Sequence, residues 1–314
     1  MDLTQLAARV GLRPESLRIT PLTGGVSSDI HLLEDGEVRV VTKRSIPKLR
    51  VAEDWPARLT RIWREVNALR ILGSLLPPNS APKVYFEDRE QYLYVMSAAP
   101  ANARNWKSRL LAGEIDPNVA RRAGRIHRAF LAYDGPEFDD QSDFEDLRID
   151  PYYTFTRSRH ADLASAFDHG TQQLRTNRRA LVHGDWSPKN LLTADGDAFV
   201  WALDWECVHR GDPAFDSAFL LNHLILKTIH QPSYRARLRE CALAYHTEVA
   251  NAIPWPDTLT HLPLLMLARV DGKSPVEYLT QDAAKDQVRR FARRLLSDPP
   301  SDLDSLFTRL ETRA

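Results

Sequence analysis

The stretch LVHGDWSPKNLL (181–192) holds His183, Asp185, Lys189 and Asn190 between two apolar ends. Short apolar runs read as strand ends, so the polar cluster reads as a loop carried on a rigid support. The Ser187-Pro188 step marks a turn and pushes Ser187 out of the helical region. A second carboxylate, Asp204, ends the apolar run of VWALDWEC (200–207). The interval from Asn190 to Asp204 suits a hairpin with TADGDA (193–198) as its turn, which returns Asp204 to the side of Asn190. Carboxylate and amide oxygens are hard ligands that suit Mg²⁺, an ion that keeps several waters and borrows phosphate oxygens. The spacing therefore points to a metal site made for a nucleotide at Asn190 and Asp204, with Asp185 left free as a base. Taken singly, either aspartate reads as an ordinary turn residue.

Upstream, LTGGVSSDI (22–30) offers a cradle for phosphate. Gly24 and Gly25 let the backbone approach an anion, Ser27 and Ser28 follow, and turn N–H groups can bind it. It is not the P-loop pattern, because no Gly-Lys-Ser/Thr follows. Lys43 ends the alternating, β-branched run EVRVVTK (37–43), which reads as a strand, as does YLYVM (92–96). Between them, Leu59, Ile62, Trp63, Val66, Leu69 and Leu72 recur at helical spacing. Glu65 lies at the margin of that stripe, within reach of a lysine across the sheet. An isolated Lys/Glu combination is usually surface decoration. The order of parts is what carries information: glycine loop, strand lysine, helix glutamate, His-x-Asp-x₄-Asn, strand-end aspartate.

The elements that must position these residues divide in two. The first hundred residues mix strands with one strong helix. Beyond them the periodicity is mostly helical, as in 118–130, 216–229 and 286–296. A hinge near MSAAPA (96–101) predicts an N-terminal lobe over 1–96 and a C-terminal lobe over 97–314. The segment 134–150 is acidic, with Arg148 as its single basic residue. By composition it reads as a solvated loop.

Lys plus Arg and Asp plus Glu number 42 each, a balance that asks for neither nucleic acid nor an anionic membrane. The two cysteines, Cys207 and Cys241, form no disulfide framework and no metal-ligand spacing. A reducing, cytoplasmic compartment is expected. The start, MDLTQLAARVGL, lacks the basic-then-apolar pattern of a signal peptide. The stretch 218–229 is too short and too polar to span a bilayer.

The order of parts is that of the protein kinases. In its wording, His183-Gly184-Asp185 with Asn190, LDWE (203–206) and GDPAFDSAF (211–219) resemble the aminoglycoside phosphotransferase and choline kinase-like family, over roughly residues 20 to 230. The resemblance implies an α+β, two-lobed protein-kinase-like fold, with a small N-terminal lobe of antiparallel sheet plus helix and a larger, mostly helical C-terminal lobe. It implies ATP and Mg²⁺ as cofactors. Asp185 would accept or orient the acceptor hydroxyl's proton, and Asn190 and Asp204 would hold Mg²⁺. Lys43 would contact the α/β-phosphates and pair with Glu65. The loop 24–28, with Gly24, Gly25, Ser27 and Ser28, would cover the triphosphate, and the backbone from Ser97 to Ala99 would face the adenine. Asp216 would brace the catalytic loop. Lys189 would either reach the γ-phosphate or remain a solvated loop residue. Glu206, where many members carry glycine, would be a structural acceptor or a further metal-shell group. Trp186 and Trp205 would shape the acceptor site or belong to the core.

Only six residues separate Asp204 from Gly211, and no Ala-Pro-Glu follows. Protein kinases dock peptides with a long activation segment there, so the expected acceptor is a small molecule with a hydroxyl group. Neither nucleic acid nor membrane is expected as a partner, and the chain is expected to act as a monomer or homodimer. Arg269, Asp271 and Lys273, around Gly272, would suit a zwitterionic or polyol acceptor, or simply end a helix with local salt bridges. His127, His209 and Cys207 read as structural. Two other classes stand beside the kinase: a nucleotide-binding pseudokinase acting as a scaffold, and a metal-dependent hydrolase using His183 and Asp185.

Overall fold

In the computed structural model the described residues are 3–22, 27–50, 55–194 and 199–311. The first lobe is built on a five-stranded antiparallel sheet in the order β1-β2-β3-β5-β4. Its strands are β1 (Arg18–Pro21), β2 (Ser28–Glu34), β3 (Arg39–Ser45), β4 (Val84–Asp88) and β5 (Leu93–Ser97). A short helix, α1 (Leu3–Arg9), covers one face, burying Leu6 and Ala7 with Leu33, Val40 and Val95. The helix α2 (Arg61–Leu72) covers the other and buries Ile62, Val66 and Leu69, the stripe that the helical spacing predicted. β3 runs antiparallel between β2 and β5, with Lys43 opposite Ile30 and Tyr94, so Lys43 sits mid-sheet on the face toward α2.

Two small antiparallel sheets open the rest of the chain. One joins β6 (Arg104–Asn105), β8 (Leu191–Thr193) and β9 (Val200–Ala202); the other joins β7 (Ala180–Val182) and β10 (His209–Gly211). Helices supply the remainder: α3 (Trp106–Leu111), α4 (Pro117–Leu131), α5 (Ser142–Phe144), α6 (Phe155–Arg159), α7 (Ala164–Thr176), α8 (Pro213–His230), α9 (Arg235–Val249), α10 (Trp255–Asp271), α11 (Asp282–Ser297) and α12 (Leu303–Glu311). The helix α8 is the central post: all but its last residue are buried, as an apolar run in the middle of a helical lobe requires. The Asp212 side chain caps it by accepting from Ala214 N–H, and Pro213 fills its first position. No helix among the described residues is long and apolar enough to cross a membrane.

Residues 134–141 of the acidic segment are mostly exposed, as a solvated loop would be, but the remainder is not. It folds into α5 and a π-helical stretch, Glu145–Thr154, that contains Pro151. Arg64 in the first turn of α2 and Arg58 just before that helix pair with three of the segment's carboxylates. Arg64 pairs with Asp143 at 3.0 Å and with Asp140 at 2.5 Å, and Arg58 pairs with Asp146 at 2.9 Å. These pairs fasten the helix of the first lobe to the second.

Candidate active site

The catalytic-loop candidate leaves β7 at Val182 and turns at once. Gly184 has φ +77°, and a Cβ there would lie 2.7 Å from both Cβ and O of Cys207, so only glycine fits. Asp216, in the first turn of α8, accepts from the N–H groups of His183 (2.6 Å) and Gly184 (3.0 Å). Burial pushes its carboxyl up to about 7, against the pull of those two donors. The His183 ring bridges the two loops: Asp185 N–H donates to Nδ1 at 3.1 Å, and Nε2 meets the Leu203 carbonyl at 3.0 Å. That pattern fixes the neutral tautomer protonated at Nε2. Burial, the dominant cause, holds its pKa down at about 4.

The Asp185 carboxylate is buried, with Arg148 at 2.7 Å and Lys189 at 3.2 Å. Burial alone would raise its pKa, but Arg148 and then Lys189 outweigh it and hold the group below the usual range. Arg148 also donates through Nε to the Gly184 carbonyl at 2.7 Å. It therefore clamps both the loop backbone and the carboxylate. Its only distinction in the sequence is to be the lone basic residue of an acidic run, which gives no hint of this role.

Asn190 closes the loop. Its amide nitrogen donates to the Asp185 carbonyl at 3.0 Å, which leaves the amide oxygen uncommitted among the described residues. The hairpin β8–β9, registered Leu191 with Ala202, brings the chain back, and Leu203 N–H donates to the Asn190 carbonyl at 2.9 Å. Asp204 follows in a left-handed conformation, φ 66° and ψ 53°. Aspartate tolerates that region better than most residues, and such conformations gather at functional sites. The turn positions 195–198 lie outside the described residues.

From the first lobe, Lys43 Nζ reaches both Glu65 (2.6 Å) and Asp204 (2.7 Å). Glu65 in turn accepts from Asp204 N–H at 3.2 Å. Burial raises the pKa of Glu65, with Lys43 opposing. For Asp204 burial is outweighed by Lys43 and Lys189, and the group is held well below the usual range. Lys43, Glu65 and Asp204, far apart in sequence, thus form one triad across the lobes, with Lys43 and Glu65 buried and Asp204 at its partly exposed edge. Glu206 is turned toward Arg61, at 2.9 Å, in a second buried pair across the lobes. It acts as a structural acceptor.

Ser27 and Ser28 are buried. Ser28 pairs with Ser45 at the start of β2, and the Ser27 carbonyl accepts from Arg61. Gly24 and Gly25 lie outside the described residues. Ser97 N–H donates to the Lys83 carbonyl at 2.9 Å, and the Ala99 carbonyl accepts from Arg39 at 3.1 Å. Trp186 and Trp205 are core: both are buried around Phe130, and each packs on His183. His127 is buried against the Tyr245 hydroxyl at 2.6 Å, and His209 against Phe144. Burial raises the Cys207 thiol far above its ordinary pKa. Among the described residues no group of three or more His, Cys, Asp or Glu could hold a metal ion, and both nitrogens of His183 are engaged with Asp185 N–H and the Leu203 carbonyl. One carboxylate and one amide oxygen are a natural partial set for Mg²⁺ completed by phosphate and water.

A small sheet-and-helix lobe, a helical lobe, and a lysine–glutamate pair facing two metal-suited oxygens define a kinase-like phosphotransferase. The family model described as the phosphotransferase enzyme family matches residues 18–252, and the chain belongs to that family. It is similar to the methylthioribose kinase of Geobacillus thermodenitrificans (strain NG80-2), at 24% identity over 277 residues, covering 74% of this chain and 67% of that protein. The methylthioribose kinase of Geobacillus sp. (strain WCH70) is also 24% identical, over 72% of this chain and 65% of that one. The chain thus spans about two thirds of the length of these curated relatives. Among solved structures, an amicoumacin kinase in complex with AMP-PNP, Ca²⁺ and Ami superposes with TM-score 0.59 at 17% identity, over 98% of this chain and 97% of that one. A choline/ethanolamine kinase family protein from Mesorhizobium loti gives 0.56 at 13% identity, over 99% and 100%. At these identities the structures speak for the fold.

Proposed function

We propose that the protein is an ATP- and Mg²⁺-dependent kinase that transfers the γ-phosphate to a hydroxyl of a small acceptor. The observation that carries this is the Lys43–Glu65–Asp204 triad set beside Asp185 and Asn190. The acceptor oxygen forms a bond to the γ-phosphorus while the bond to the β,γ-bridging oxygen breaks. The electron pair leaves with ADP, and the hydroxyl proton passes to Asp185. A carboxylate held below its usual pKa is ionised throughout the neutral range, so its first task is to orient the hydroxyl and its second to take the proton late. Lys43, held by Glu65, is placed to meet the α/β-phosphates, and Lys189 can balance charge at the γ-phosphate. Asn190 and Asp204 would hold Mg²⁺, which neutralises the charge on the β- and γ-oxygens. Phosphoryl transfer needs alignment and charge neutralisation more than covalent help.

On this reading the lobes are 1–96 and 97–314. The support is that β5 ends at Ser97 and the next strand, β6, pairs with β8 of the second lobe. The partner is a small molecule, with neither nucleic acid nor membrane involved. The chain works in the cytoplasm as a monomer or homodimer.

The test is ADP release from Mg·ATP across aminoglycosides, macrolides, choline, ethanolamine, homoserine and sugars including methylthioribose. Asp185→Ala should abolish transfer and leave Mg·ATP binding largely intact, whereas Asp204→Ala should weaken metal-dependent nucleotide binding as well. Nucleotide binding with no transfer to any acceptor would favour a pseudokinase scaffold. No nucleotide binding at all would overturn the kinase.

A further inference from the structure

Beside Asp185 opens a small, partly open cleft. Its walls come from the catalytic loop, from α8 and from the end of α10 with the chain just after it. Four basic side chains line it, Lys107, Lys189, Lys227 and Arg269, against the single carboxylate of Asp185. That carboxylate is already paired with Arg148 and Lys189. Glu277 holds Lys107 from outside and is 63% exposed.

Lys227 is the unusual member. It is fully buried on α8, yet its Nζ finds only the His223 carbonyl of its own helix at 3.3 Å and the Tyr278 ring at 5.0 Å. No carboxylate lies within ion-pair distance of it among the described residues. A buried ammonium without a counter-ion is costly, and lysines normally escape to water or find an acid. Burial first, and then Lys107, depress its pKa to about 7, with Glu277 opposing and Arg269 reinforcing. The same cleft holds further donors without partners: Ser187 Oγ, Tyr278 Oη and Arg269 Nε. Arg269 is held in place by the Tyr152 hydroxyl at 3.0 Å. Asp271, which could have matched a cationic group, faces away and is taken by Arg289 (2.6 Å) and His160 (2.9 Å). Of the carboxylates in 134–150, Asp140, Asp143 and Asp146 are taken by Arg58 and Arg64, Glu145 by Arg175 and Asp139 by Arg210, and none of the segment's carboxylates lines this cleft. The cleft is therefore rich in donors and poor in free acceptors.

We propose, resting on the small-molecule kinase reading above, that the acceptor is an alcohol carrying an anionic group, carboxylate or phosphate, which Lys227 and Arg269 hold while the hydroxyl faces Asp185. The transfer step is the one already described, with the anionic group unchanged. An acceptor of this class removes the charge imbalance of the cleft and supplies Lys227 with its missing partner. The buried lysine is thus a specificity residue whose cost to the free enzyme is recovered on binding.

The test is to titrate acetate and inorganic phosphate into the protein with Mg·AMP-PNP saturating, so that the nucleotide site is filled. One of the two anions should bind, and which one binds separates carboxylate from phosphate. Lys227→Met, close in volume, should weaken that anion about tenfold or more, as expected for one charge-assisted contact. Its AMP-PNP affinity should stay at the wild-type value, which also shows that it is folded. ADP release is then compared for glycerol, glycerate, glycerol 3-phosphate, ethanolamine and methylthioribose. The anionic members should have the highest kcat/KM, and Lys227→Met should lose that preference. Absence of anion binding, equal affinity in wild type and variant, or preferred turnover of a neutral or cationic member would overturn the proposal while leaving the kinase intact. Failure to bind Mg·AMP-PNP would instead overturn the kinase reading, and the anion titration without nucleotide would still report on Lys227.

Discussion

The guanidinium of Arg148 stands 2.7 Å from the carboxylate of Asp185, with both side chains less than a tenth exposed. The same arginine holds the Gly184 carbonyl one residue earlier. One side chain from a π-helical turn therefore sets both the position and the ionisation of the candidate base. Arg148→Gln should lower kcat about a hundredfold, the scale of a misplaced reacting group. Asp185 loses its main opposing charge, so its pKa should rise. The acid limb of the kcat/KM profile should then move to higher pH. A fall in rate with an unmoved limb would mean that Arg148 only braces the backbone.

Lys43 neutralises two carboxylates at once, Glu65 at 2.6 Å and Asp204 at 2.7 Å. Removing one partner of a buried pair strands the other, at a cost of about 3–5 kcal/mol. Lys43→Met should therefore lower Tm markedly as well as abolish transfer. Adding Glu65→Leu should recover a large part of the lost Tm, because the stranded carboxylate goes with it, while activity stays lost. Thermal melts and ADP release on the single and double variants check both. Equal Tm for the two would show that Glu65 is not the stranded charge.

The local signals in the sequence carried far. The stripe Ile62, Val66, Leu69 placed α2, and the alternation of 37–43 placed β3 to within two residues. Turn chemistry between Asn190 and Asp204 was enough to place the β8–β9 hairpin. The expectation that Asp216 braces the loop and that Lys43 meets Glu65 came from the order of motifs, and the geometry contains both contacts. What stayed hidden depends on partners distant in sequence. Only the first half of the acidic run 134–150 is solvated, and local composition does not show that Arg64 from α2 and Arg58 just before it meet the second half. Arg269 and Asp271 looked like one unit, but they leave the helix on different sides, one into the cleft and one onto Arg289. Lys227 lies inside an apolar helical run with no pattern to mark its surroundings as basic.

Gly184 turns the chain between His183 and Asp185 at φ +77°, with Cys207 where a Cβ would go. Gly184→Ala should cost about 2–4 kcal/mol, from left-handed strain plus overpacking. Gly36 is the control, because it has φ +93° with nothing within 4 Å of a Cβ. Gly36→Ala carries the strain alone and should cost about 1–2 kcal/mol. Urea unfolding of the two variants measures the difference, which is the contribution of the Cys207 contact. If Gly184→Ala cost no more than Gly36→Ala, the loop would have room to relax.

The buried histidines set how stability responds to acid. Burial is the leading cause that holds His127 at about 3, His183 at about 4 and His209 at about 3. An unfolded histidine titrates near 6.5, so below that pH the unfolded chain takes up protons that the folded chain refuses. Each of these groups stabilises the fold above about pH 6.5 and withdraws that support as pH falls toward 4. Asp216 acts in the opposite sense. Raised to about 7, it is protonated in the folded state before the unfolded carboxyl is, and it gains stability over the same window. For these four groups, three protons against one leave a net uptake of about two on unfolding near pH 5, a slope of about 2.7 kcal/mol per pH unit. His223, pushed down by burial first and by Arg269 next, steepens it further. Tm should therefore fall steadily between about pH 7 and pH 5. Asp216→Asn removes one opposing group, beside the raised Glu65 and Glu206, so whatever Tm it keeps at neutral pH should fall more steeply with acid than in the wild type. A flat Tm across that window would mean that these histidines are protonated within the fold, and the neutral His183 tautomer that ties the two loops together would be wrong.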